Sequence, residues 1–145
     1  MNWKYEVIEK LKGYTAHKNA LTSIPKEIEL LESSSHSIRS ASGGSDAVHS
    51  GGNSREDMLI SNIVKREELK RQLKQAAAWV EIVEAALETL TDEQRKIVDA
   101  MYINRRKDAV AWLCEDFFCE KSTVYRRRDE ALAQLTRAIY GYEIC

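Results

Sequence analysis

Along the first 31 residues, Trp3, Val7, Lys10, Tyr14, His17, Leu21, Ile24, Ile28 and Leu31 recur at spacings that alternate between four and three, and seven of these nine are apolar or aromatic. Such spacing draws one stripe along a helix, whereas a strand would require alternation every second residue. The same rhythm returns in Leu69, Leu73, Ala76, Val80, Val83, Leu87 and Leu90, with Leu59 in register and Ile63 one position off. Two heptad seams in one chain restrict it to an all-α fold built on long helices that must cover each other. Pro25 falls inside the first seam. Because proline lacks an N–H and its ring clashes with the preceding turn, it predicts a helix to about Leu21, a break at Thr22–Ser23 and a short second helix to about Glu32. The later seam has neither Pro nor Gly and is rich in Ala, Glu and Lys, which predicts one helix of roughly 30 residues. The seams pair most simply as an antiparallel, coiled-coil-like hairpin, with Trp3, Tyr14 and Trp79 filling the wider gaps. Pairing between two copies of the chain satisfies the same pattern and makes a homodimer the alternative.

Between the seams, Ser33 to Ser54 is dominated by Ser, Gly, His and Asn, and four of the six glycines of the chain fall here, Gly43, Gly44, Gly51 and Gly52. So few apolar groups cannot offset the entropy of ordering the segment, which is expected to be a flexible connector. The expected organisation is an N-terminal helical arm over 1–32, the connector over 33–54, a long helix over 55–90 and a C-terminal domain over 91–145. Lys65, Arg66, Lys70, Arg71 and Lys74 are interleaved with Glu67 and Glu68, the pattern of a solvated, ion-paired helix face. No run of about 18 apolar residues occurs, and the N-terminus lacks the basic and apolar regions of a leader, so no membrane partner is expected and a cytoplasmic location is. Cys114, Cys119 and Cys145 are spaced unlike zinc ligands and read as reduced thiols.

The C-terminal segment carries the functional signal. Thr91 is followed three residues later by Gln94, a capping box that opens a helix with Ile97, Val98, Met101 and Tyr102 inward. The polar run Asn104-Arg105-Arg106-Lys107 ends it. A second helix is expected over about Asp108–Phe117, with Val110, Leu113, Cys114 and Phe117 facing the core and Trp112 at its margin. After the turn Phe118-Cys119-Glu120, a third helix is expected over Lys121–Tyr140, with Val124, Ala131, Leu132, Leu135 and Ile139 inward and Gly141 in a left-handed cap. Three short helices, the last two joined tightly, define a helix-turn-helix whose last helix begins in the major groove of DNA. Four of the eight positions from 121 to 128 are basic and none is acidic. Hydroxyls and guanidinium groups are the side chains that read base edges and clamp phosphates. With a formal net charge of only −1, any DNA site has to be a local patch.

The stretch Glu120-Lys121-Ser122-Thr123-Val124-Tyr125-Arg126-Arg127-Arg128-Asp129-Glu130-Ala131-Leu132 resembles the recognition helix of phage transcription regulators of the ArpU and RinA type. Leu90 to Leu135 is similar to region 4 of sigma-70-type factors. Ile24-Pro25-Lys26-Glu27-Ile28-Glu29 and Asn53-Ser54-Arg55-Glu56-Asp57 are similar to small phage proteins carrying this C-terminal domain. The resemblance implies a regulator of phage or prophage genes, late genes among them, that binds double-stranded promoter DNA, with RNA polymerase as a further partner. It implies base reading by Lys121, Ser122, Tyr125 and Arg126, and phosphate contacts by Arg105, Arg106, Thr123 and Arg128. Arg127 stands where such sequences commonly carry an apolar residue, and Phe118 where a glycine is frequent, which implies a somewhat different turn.

A second expectation from another class is an adaptor that docks on RNA polymerase or, like a small terminase subunit, on a packaging component. Catalysis is not expected: no Ser-His-Asp set, phosphate-binding Gly-rich loop or metal-ligand spacing is present, and no cofactor follows from the residues. His17 lies on the first seam, while His36 and His49 lie in the connector.

Overall fold

The computed structural model describes residues 1–40 and 51–142, with the backbone alone for 51–53. Five α-helices follow one another: α1 (Trp3–Ser40), α2 (Gly51–Leu87), α3 (Asp92–Val98), which runs on as a π-helical turn over Asp99–Ile103, α4 (Ala109–Phe117) and α5 (Lys121–Tyr140). The fold is all-α, with no strand among the described residues.

The long helices depart from expectation at both ends of the connector. α1 passes through Pro25 without ending, so the break foreseen at Thr22–Ser23 does not occur. Proline removes one backbone hydrogen bond, but Leu21, Ile24, Ile28 and Leu31 on either side all withdraw from solvent, and the burial of an unbroken seam outweighs that one bond. The helix then continues over Ser33–Ser40, where buried Ser35 and half-buried Ile38 extend the four-and-three spacing. Because α2 already starts at Gly51, only 41–50 of the expected connector, with His49, lies outside the described residues.

The chain forms two compact units, one made of residues 19–77 and the other of 1–18 together with 78–145. In the first, the seam position expected near Ile63 belongs to Asn62, which is buried while Ile63 is 43% exposed. Asn62 Nδ2 donates to the Leu31 carbonyl at 2.7 Å, and its Oδ1 accepts from Arg66 Nε at 2.8 Å. A buried amide is tolerated because its partners are supplied on both sides.

In the second unit, Val7, Leu11, Val83, Ala86, Leu90, Val98, Ala131, Leu132 and Leu135 form one buried cluster. The start of α1, the end of α2, α3 and α5 therefore share one buried cluster. Trp79 Nε1 donates to the Lys10 carbonyl at 2.9 Å and Tyr14 Oη to Glu84 at 2.6 Å, so these two aromatics do fill the space between α1 and α2. Trp3 does not. It packs against the tilted ring of Tyr140 and stacks on Tyr142, with ring centroids 4.7 and 4.6 Å away, because its place at the start of α1 falls beside the end of α5.

Candidate nucleic-acid interface

The chain leaves α2 through buried Leu90 and is turned by Thr91, whose hydroxyl accepts from Gln94 N–H while the Gln94 side chain accepts from Thr91 N–H. Both halves of the capping box are present, and they fix where α3 begins. Arg95 reaches back to the carbonyls of Leu87 and Leu90, a cation placed at the negative end of α2.

Ile97, Ala100, Leu113 and Val124, all buried, form a second cluster with Met101, Val110, Trp112, Cys114 and Phe117 packed around it. It ties α3, α4 and α5 together and sets which face of α5 stays outside. Between α4 and α5 the turn Phe118-Cys119-Glu120 is closed by Cys119 N–H donating to the Cys114 carbonyl at 3.1 Å. Phe118 takes the left-handed conformation, φ 52° and ψ 49°, and is 95% exposed. The backbone there is the one a glycine adopts most easily.

On α5, Val124 points into the cluster, and the residues around it divide by function. Lys121, Ser122, Tyr125 and Arg126 are exposed, and their one-and-four spacing groups them on one face of the first two turns. With Lys4, Asp129, Glu130 and Ala133, the last three of these four exposed residues line an open groove along the helix. Thr123 is half-buried, its N–H closing the first turn on the Glu120 carbonyl at 3.1 Å. Arg127 turns the other way and pairs with Glu93 of α3, so an arginine at this position is accommodated by an acidic partner. Arg128, its side chain only 22% exposed, bonds to Asp129 at 2.9 Å and lies over the Tyr125 ring at 4.9 Å. Burial raises the Tyr102 pKa above its ordinary value, with Arg128 opposing the shift.

Arg105 and Arg106 are exposed on the loop that follows the π-helical turn. The loop is held by Asn104 donating to Asp99 at 2.7 Å and by Arg106 N–H donating to the Ala100 carbonyl at 3.0 Å. The Arg106 guanidinium lies 3.9 Å from the centre of the Trp112 ring and Lys96 Nζ 5.1 Å from it, so two cations lie close to the Trp112 ring. Stacking of this kind orients a planar guanidinium while leaving its edge N–H groups outward.

Lys4 is the residue sequence reasoning missed. It bonds to Asp129 at 2.8 Å, and this ion pair, together with Arg128, holds the Asp129 carboxyl below its ordinary pKa. An acid in the exposed groove is thereby matched by a cation 125 positions away in the chain, a contact with no local signature. Cys114 and Cys119 are free and half-buried, while Cys145 lies outside the described residues. His17 packs on Trp79 and His36 is an exposed residue of α1. Among the described residues no group of His, Cys, Asp and Glu could hold a metal ion, and no helix is long and apolar enough to cross a membrane.

Comparison with protein-family models, curated proteins and solved structures finds no match to this chain.

Proposed function

We propose that the chain is a sequence-specific DNA-binding transcription regulator of phage or prophage genes, acting in the host cytoplasm, with α4, the turn and α5 as its helix-turn-helix. The observation that carries this reading is the separation of roles on α5. Val124 and Arg127 attach the helix to its neighbours, while Lys121, Ser122, Tyr125 and Arg126 form one outward face of donors and an aromatic ring. A helix fixed on one side and furnished in this way on the other suits the major groove, where guanidinium forks pair with guanine and hydroxyls with several base edges. Arg105 and Arg106 supply phosphate contacts from a braced loop. Thr123 and Arg128, half-buried at the edge of that face, supply further phosphate contacts. One recognition helix covers few base pairs, so useful specificity calls for a second half-site read by a homodimer, or for RNA polymerase as a partner.

The test is selection of bound sequences from random duplex DNA by the full chain and by Arg126→Ala, with Arg127→Ala as control. The expected outcome is an enriched motif that Arg126→Ala loses, at a cost of about 1–3 kcal/mol, and that Arg127→Ala retains. For Arg106→Ala, binding weakens on all sequences and the salt dependence falls by roughly one phosphate. Absence of any enriched motif overturns the reading.

A further inference from the structure

On α2, the side chains turned away from the seam include Ile60, Ile63 and Val64, which are 59%, 43% and 61% exposed. An isolated exposed aliphatic residue is ordinary. These three are spaced so that they adjoin on one stripe, about a third of a turn away from the seam that holds Leu59, Asn62, Arg66 and Leu69. The same stripe carries Glu56 and Asp57 before the apolar stretch and Lys70, Arg71 and Lys74 after it, all exposed. Acids therefore precede the apolar stretch and bases follow it along a single helix face, with Glu67 of the same stripe standing between Val64 and Lys70.

We propose that this face is where a second copy of the chain docks, with the two α2 helices antiparallel and related by a two-fold axis between Ile63 and Val64. The order of the segments selects that partner and that direction. Antiparallel pairing about this axis sets Ile63 against the partner's Val64, Glu56 against the partner's Arg71 and Asp57 against the partner's Lys70. Ile60 then lies on the aliphatic stem of the partner's Glu67. A parallel pairing would set each of these charges against itself and is disfavoured. Lys70 and Arg71 already pair with Glu67 and Glu68 along the helix, but both pairs are exposed. Exchanging them for pairs across the two-fold loses little. A two-fold contact uses one patch twice, as an isologous interface must. Three aliphatic side chains from each copy make a patch near or below the roughly 1,200 Å² of stable complexes, so the dimer exchanges with monomer in the micromolar range.

Sedimentation of the full chain without DNA tests this, and its outcome does not depend on whether the chain reads DNA. The expected result is a mass that rises toward that of two chains with concentration, and a dissociation constant raised at least tenfold by Val64→Glu and by Ile60→Lys. Helicity by circular dichroism stays unchanged, since both positions are exposed. The charge-reversed chains E56K/D57K and K70E/R71E are each monomeric, whereas their equimolar mixture dimerises, because only the mixture restores opposite charges across the two-fold. A chain that stays monomeric at several hundred micromolar overturns the proposal. A dimer indifferent to Val64→Glu, or a mixture that fails to re-form it, overturns it equally.

Discussion

Two single residues show how backbone and side-chain constraints can oppose composition. Phe118 holds a left-handed backbone with its ring in solvent, a conformation that costs an L-residue roughly 1–2 kcal/mol. Phe118→Gly removes that cost and forfeits almost no packing, so it is expected to raise stability by about 0.5–1 kcal/mol, read as a higher urea midpoint with unchanged slope. Gly13 presents the opposite case. In the interior of α1 an alanine would ordinarily be favoured by about 1 kcal/mol, yet a Cβ there would come within 2.9 Å of the Trp79 ring. That ring cannot step aside easily, because it is hydrogen-bonded to the Lys10 carbonyl and packed between Lys10 and His17. Gly13→Ala is therefore expected to destabilise by about 1–3 kcal/mol in the parent chain, and to cost little when made in a Trp79→Leu background, where the ring is gone. Equal stability of Gly13→Ala and the parent would show that the ring is free to move.

Among the elements, the short ones depend most on their ends. α3 has seven residues, too few to persist by propensity alone, and it starts where it does because Thr91 and Gln94 satisfy each other's N–H groups. Thr91→Ala is expected to cost about 1 kcal/mol, or roughly 2–4 °C in melting temperature for a chain of this size. Loss in Thr91→Ala is expected to exceed loss in Thr89→Ala, whose hydroxyl bonds only the Ala86 carbonyl. In α5 the same logic runs along the whole helix. Leu132 and Leu135 are fully buried in the larger cluster, Val124 in the smaller one, and Arg127 is tied to Glu93. The orientation of the outward face is thereby set by four separate attachments. Arg126 is free of this work, which is why its removal is expected to change DNA reading and leave the fold intact.

On the scale of the molecule, the C-terminal helices are not a separate body. Val7 and Leu11 of α1 and Val83 and Ala86 of α2 are as deeply buried in their core as Leu132. Leu11→Ala is expected to destabilise by about 2–5 kcal/mol. A fragment limited to 91–145 lacks those four core side chains and is expected to show weak helicity and a non-cooperative melt. A cooperative transition in that fragment would show that α3 to α5 suffice for their own core. The net charge of −1 gives no general attraction to nucleic acid, so the proposed binding rests on where a few cations are placed.

The periods of the apolar residues determined the helical class, the Thr91–Gln94 capping box the start of α3 and Gly141 the end of α5, because such signals act over one or two turns of the chain. The outward and inward sides of α5 were legible for the same reason, down to Val124 in the core and Lys121, Ser122, Tyr125 and Arg126 outside it. What local pattern could not supply was decided by partners far along the chain. Pro25 breaks a helix in isolation, but here it sits within a seam whose residues on both sides are buried or half-buried. Ser35 and Ile38 read as connector until their continuation of that seam is seen. Arg127 and Arg128 belong to a basic run whose sides the sequence leaves open, and it is Glu93 that draws Arg127 into the structure. Lys4 reaches Asp129 across 125 positions. Tertiary structure decides such contacts because the free energy that orders a long polar side chain comes from whichever groups the folded chain brings beside it, and no spacing in the sequence records them.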